Sequence, residues 1–129
     1  MDSCSQVSCI SESLCQRLKL KPQRVSLWLK GTGDSIVANV KKSAEVTIRP
    51  HFDSAFACSV KVLVLSEVSS YVPLLIPTSF ELPDFRGLTL ANPRYMDRAH
   101  TDVLLGADIY AKIMKASIRR GRPNEPVAM

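Results

Sequence analysis

Nothing in this sequence is both long and apolar enough to cross a bilayer. The longest uncharged apolar run, around Tyr71 to Phe80, is interrupted by Pro73 and Pro77 and falls short of the roughly 20 residues that a spanning helix needs. No basic-then-apolar leader opens the chain, since Met1, Asp2 and Ser3 lead straight into polar residues, so the expected setting is the cytoplasm. Also missing is any C-x-x-C pair. Cys4, Cys9, Cys15 and Cys58 are spaced like neither a zinc site nor a dense disulfide framework, and His51 and His100 stand apart from any such pair. The expectation is reduced, mostly buried thiols, with no metal and no other cofactor. No internal repeat appears. What remains is a chain of 129 residues, 46% hydrophobic and 22% charged, the size and composition of one domain spanning 1–129.

The net charge of +5 has a location. Lys112, Lys115, Arg119, Arg120 and Arg122 lie in a stretch without an acid between Asp108 and Glu125, and the other twelve basic residues balance the twelve acidic ones. A basic tail over 112–122 is able to touch phosphates, but with Tyr110 as its only nearby aromatic it reads first as a solvated face, and nucleic acid is a minor expectation.

Ser11 and Glu12, with Ile10, Leu14 and Leu18 four apart and Arg17 and Lys19 at the end, predict an amphipathic helix near 10–19 that stops at Pro22. Val25 to Leu29 predicts a strand, and Gly31, Thr32, Gly33 and Asp34 a tight turn. Ile36, Ala38, Val40, Ala44, Val46 and Ile48 fall on alternate positions, which predicts one long half-buried strand over 35–49 or two joined at a bulge. Alternation resumes over 55–65 with Phe56, Cys58, Val60, Val62 and Val64 on one face. Pro73, Pro77, Pro83 and Pro93 make 71–93 an irregular excursion, and Ile109, Ile113 and Met114 mark a closing helix near 107–114. Many strands and two short helices predict a mainly β fold, a closed barrel or a sandwich.

Four blocks, in order, carry chemistry. Asp2 to Leu20 reads D-S-C-S-Q-V-S-C-I-S-E-S-L-C-Q-R-L-K-L, Gly87 to Pro93 reads G-L-T-L-A-N-P, Asp102 to Tyr110 reads D-V-L-L-G-A-D-I-Y, and Ile118 to Ala128 reads I-R-R-G-R-P-N-E-P-V-A. Together they resemble the retropepsin-like aspartic peptidases of BEL/Pao-type retrotransposons, whose corresponding segments read D-S-G-S-Q before a helix, G-L-x-L-A-D-P and I-D-x-L-L-G-A-D-x-Y. The resemblance covers nearly the whole chain and implies a retropepsin-like barrel with endopeptidase activity on a retroelement polyprotein. Hydrolysis by this route needs two carboxylates sharing one proton, one acting as base on a water while the other donates to the scissile carbonyl. Only one D-S-x segment here carries the following residues of the family, so Asp2 is expected to meet its own counterpart in a homodimer.

By the same resemblance Ser3 holds the active-site loop across that junction, and Cys4 is the third residue of the loop. Gly31, Thr32, Gly33 and Asp34 form the flap over bound peptide. Leu104, Leu105 and Gly106 pack beneath the catalytic loop, where glycine permits close backbone approach. Asp108 is expected to charge the first turn of the last helix. Cys4 departs from the family, which has glycine there; a β-carbon and sulfur beside the attacking water crowd the loop. Relatives also place an apolar strand before the aspartate and a T-x-L-G-W stretch after the last block, so the chain is expected to be an internal fragment truncated at both ends. These departures keep a second expectation open, a catalytically degenerate remnant acting at most as a peptide- or protein-binding module.

Overall fold

The computed structural model describes residues 4–31, 33, 35–52, 54–69, 89, 99–114, 119–120 and 127–128. The chain enters as β1 (Ser8–Ser11), turns directly into α1 (Glu12–Arg17), and runs through β2 (Gln23–Lys30), β3 (Ile36–Ile48) and β4 (Cys58–Leu65). It returns as β5 (Val103–Leu104), α2 (Ala107–Ile113), β6 (Arg119–Arg120) and β7 (Val127–Ala128). Five strands form one mixed sheet in the order β2-β3-β4-β1-β5, and β6 pairs with β7 separately. The fold is mainly β with two short helices. Among the described residues the sheet is open, with β2 and β5 as its edges, so the closed barrel or sandwich expected from the sequence is not seen there. The proline-rich excursion over 71–93 lies outside the described residues, Thr89 excepted. No helix among the described residues is long and apolar enough to cross a membrane.

The first strand decides the topology. β1 runs parallel to β4 on one side, Ser8 to Ser11 facing Val62 to Leu65, and antiparallel to β5 on the other, with Cys9 opposite Leu104 and Ile10 opposite Val103. A short N-terminal strand thus sits inside the sheet, flanked by elements about 50 and 90 residues downstream. Its four residues are all buried, which explains why periodicity misplaced the helix start. Ile10 belongs to the strand, where its burial comes from cross-strand packing, and Leu18 is 54% exposed.

Ser11 is the N-cap of α1, its hydroxyl accepting from the Leu14 N–H at 3.2 Å, with Glu12 in the first turn and Arg17 in the last. Pro22 does not end this helix. Lys19 takes a left-handed backbone (φ 52°), its N–H donates to the Gln16 carbonyl, and the Leu20 N–H reaches back to the Cys15 carbonyl. That pair of bonds closes the helix before the proline, with Leu20 folded onto the cluster that contains Cys15.

On β1, β4 and β5 successive residues point to opposite faces, and each face has its own cluster. Ile10, Cys15, Ala44, Val60, Val62, Val64 and Ile109 form the larger, roofed by Leu14 of α1 and Ile113 of α2. Cys9, Val40 and Leu63 form the smaller, with Leu29 and Leu104 against it. β3 is one strand that serves both, Val40 in the smaller and Ala44 in the larger. Between them Lys41 and Lys42 are both exposed and Ser43 and Ala44 both buried, so alternation breaks where the register with β2 shifts, between Arg24 and Leu27. β4 begins at Cys58, because the Phe56 N–H is taken by the Ser54 hydroxyl in a local turn; Phe56 is outside the strand and exposed.

Candidate functional site

Residues Ser5 to Ser8 and the L-L-G-A-D block meet at one corner of the sheet. Pairing of β1 with β5 brings Leu104 beside Cys9, and the chain after it folds under the residues preceding β1. Gly106 approaches so closely that a β-carbon built on it stands 2.7 Å from the Val7 carbonyl oxygen and 2.8 Å from that of Ser5. Its backbone is extended (φ −88°, ψ −171°), so glycine is required here for room and not for a left-handed turn. The Ala107 N–H donates to the Ser5 carbonyl at 2.8 Å, and the Ser5 hydroxyl donates to the Val7 carbonyl at 2.8 Å, tying the loop to the start of α2.

Ser8, 1% exposed, holds the centre of the corner. Its hydroxyl accepts from the Gly106 N–H at 3.1 Å and donates to Asp108 Oδ1 at 2.8 Å. Gly106 is the N-cap of α2 without a side-chain cap of its own, so Ser8 supplies from β1 an acceptor that the helix end lacks. Asp108 lies in the first turn of α2, where a carboxylate suits the helix dipole. Beside it the Cys9 thiol is pushed up by burial, with a further contribution from the Asp108 charge, which keeps that sulfur protonated and unreactive.

A second polar group braces the corner from outside. Asp102 Oδ1 accepts from the Ser11 hydroxyl at 2.5 Å, its other oxygen pairs with Arg17 at 2.7 Å, and its backbone carbonyl accepts from the Ser11 N–H at 2.8 Å. The Ser11 hydrogen bond, together with the Arg17 charge, holds the Asp102 carboxyl below the usual carboxylate range against the opposing effect of desolvation. One residue thereby joins the helix cap, the end of α1 and the entry to β5. Sequence reading marked Ser11 and Arg17 for their places on α1 but had no signal that a residue about 90 positions away completes them.

Asp2 and Ser3, and Thr32 and Asp34 of the turn, lie outside the described residues. Cys4, two residues past Asp2, is exposed at the edge of this corner. Leu104 and Leu105 are half-buried and Gly106 is buried beneath the loop. Gly31 and Gly33 lie at the tip of the β2–β3 hairpin, away from this corner in sequence and in sheet order. The Gly31 N–H donates to the Ser35 carbonyl, and Gly33 adopts φ 76°, a conformation that favours glycine. In the basic tail Lys112 is an exposed residue of α2, Arg119 and Arg120 form β6, and Lys115 and Arg122 lie outside the described residues. Cys9 and Cys15 are buried and Cys58 is half-buried. Among the described residues no group of three or more His, Cys, Asp or Glu is placed to hold a metal ion.

No protein-family model, no curated protein and no solved structure matches the chain.

Proposed function

We propose that this chain is a retropepsin-like aspartic peptidase domain of the BEL/Pao retrotransposon type, cleaving a polyprotein as a homodimer in which Asp2 of each copy supplies one carboxylate. The observation that carries the reading is the meeting of two segments about a hundred residues apart. Gly106 lies against the Ser5 and Val7 carbonyls, and Ser8 bonds both the Gly106 N–H and Asp108, so the block containing L-L-G-A-D underlies residues Ser5 to Ser8, which follow Asp2 in the first block. The resemblance lies in the residue types of each block, and the adjacency of Ser5–Ser8 with Gly106 and Asp108 is a further point in its favour. A glycine-tipped hairpin, β2–β3, is present in the same sheet as the counterpart of a flap.

In this reading the two Asp2 carboxylates share a proton, one activating water while the other protonates the carbonyl oxygen of the scissile bond, and their titration belongs to the pair. The corner formed by Ser5, Ser8 and Gly106 holds the backbone from Ser5 to Ser8. A second reading, the degenerate remnant, is favoured by Cys4, whose side chain occupies the position where the family has none.

The test is cleavage of a peptide library by the unmodified chain and its Cys4→Gly variant, each beside an Asp2→Asn control, over a range of protein concentrations. The peptidase reading expects cleavage that vanishes with Asp2→Asn, rises in Cys4→Gly and falls more steeply than linearly on dilution, because the active species is a dimer. Absence of cleavage in both forms leaves the remnant reading, and cleavage that survives Asp2→Asn removes the aspartic mechanism.

A further inference from the structure

The β2–β3 hairpin carries a surface that neither the peptidase chemistry nor the core accounts for. Beyond the register shift, Leu27 faces Val40, Trp28 faces Asn39, Leu29 faces Ala38 and Lys30 faces Ile36. Next-but-one neighbours share a face, so Leu27, Leu29, Ala38 and Val40 lie on one side and Trp28, Lys30, Val37, Asn39 and Lys41 on the other, with a second register shift between Leu29 and Lys30 at the hairpin tip. The first side turns inward at Val40, which is buried, and at Leu29, which packs on the Cys9–Leu63 cluster, while Leu27 nearer the edge is 45% exposed. The second is exposed throughout, with Trp28 at 60% and Val37 at 68%.

Two features say what would cover it. The aromatic is bracketed by cations, because Lys30 is two residues along β2, about 7 Å away at the ordinary strand rise, and Lys41 is two residues beyond the cross-strand partner of Trp28, about 8 Å away on the diagonal. Around it the charge is one-sided. Lys19, Lys21, Arg24, Lys30, Lys41 and Lys42 fall between positions 19 and 42 against the single acid Asp34. Lys42 meets Glu12 at 2.7 Å, whereas Lys41 projects from the Trp28 face. An exposed indole with lysines on either side, on a basic two-stranded ribbon, provides what single-stranded nucleic acid recognises: a face for a base and cations for its flanking phosphates.

We propose that the outward face of the β2–β3 hairpin binds single-stranded nucleic acid, Trp28 receiving a base while Lys30 and Lys41 contact the phosphates on either side. The site is separate from the basic tail, and nothing in it depends on Asp2 or on peptide hydrolysis. Binding of this kind is tolerant of sequence, since every base has a face to stack, and it weakens with salt as counterions return to the phosphates.

Trp28 is the only tryptophan in the chain, so its fluorescence reports this surface alone. Titration with polyuridylate is expected to quench the emission to saturation, and added salt to restore it. With a dye-labelled oligouridylate followed by anisotropy, Trp28→Ala is expected to weaken binding at least about fivefold, the lower end of one stacked base, without altering the salt slope. Lys30→Gln combined with Lys41→Gln is expected to flatten that slope by about 1.4, at roughly 0.7 for each phosphate contact to a single strand. These residues are exposed, and unchanged far-UV circular dichroism shows that each variant is folded. The proposal is overturned by an unquenched Trp28, by undiminished binding in Trp28→Ala, which would place the contact on the basic tail, or by a blue shift with anionic phosphatidylserine vesicles where polyuridylate gives no change.

Discussion

The corner where β1, β5 and α2 meet and the hairpin of β2 and β3 belong to one sheet, yet they are built on opposite terms. At the corner polar groups are inside and are satisfied by partners distant in sequence: Ser8 by Asp108 and Gly106, Ser11 by Asp102. On the hairpin apolar groups are outside, with Trp28, Ile36 and Val37 all more than half exposed. A buried hydroxyl with two hydrogen bonds specifies one arrangement of backbone, because any other leaves it unpaired in a dry environment. An exposed indole specifies nothing about its own fold and leaves its binding surface free. The contrast marks the corner as the part whose backbone is specified by buried hydrogen bonds and the hairpin as the part whose large apolar side chains are left exposed.

Substitutions that remove side chains measure the contrast at its widest. Ile10→Ala, at a residue 1% exposed between β4 and β5, is expected to cost about 2–5 kcal/mol in urea unfolding. Ile36→Ala on the hairpin is expected to stay within about 0.5 kcal/mol. Equal losses at the two sites would mean that the hairpin tip is packed in solution.

The two glycines differ in kind, and the next effect follows from that. Gly106→Ala forces a β-carbon onto two backbone carbonyls and is expected to cost about 3 kcal/mol, whereas Gly33→Ala meets open space and pays only for its left-handed φ, about 1 kcal/mol. Ser8→Ala comes next. It strands the Gly106 N–H and one oxygen of Asp108, and a loss of about 1–3 kcal/mol is expected by the same measurement.

Asp102 gives a pH signature to the corner. Its folded carboxyl sits below its unfolded value, so its contribution is full above the ordinary Asp range near pH 4 and disappears as pH falls through and below that range. Asp102→Asn is expected to cost no more than about 1 kcal/mol at pH 7, because the Arg17 partner is exposed and screened, and to leave stability less dependent on pH below 5. An unchanged acid limb would show that Asp102 is not held by Ser11 in solution. The smallest effect is a gain: Lys19→Gly removes a left-handed non-glycine residue from the end of α1 and is expected to add about 0.5–1 kcal/mol.

Local pattern made much of this readable. The two halves of the hairpin, the turn at Gly31 and Gly33, the strand through Val60, Val62 and Val64 and the cap at Ser11 all follow from residues within a few positions of one another. The errors share a cause. Ile10 has helical spacing to Leu14 but belongs to a strand whose neighbours are in β4 and β5, and no local pattern reports a parallel partner more than fifty residues away.

By itself the sequence determined the mainly β class, the position of the hairpin, the two short helices and the order of the blocks that resemble a peptidase, since alternation, capping and turn chemistry act over one or two turns of chain. Tertiary structure alone decided that β1 sits between β4 and β5, that Ser8 rather than a local residue completes the start of α2, that Asp102 closes α1, and that Trp28 and Lys41 share an outward face. Each of these is a pairing between segments far apart in the chain. Such a pairing is fixed only when the backbone donors and acceptors of a buried strand must all find partners at once.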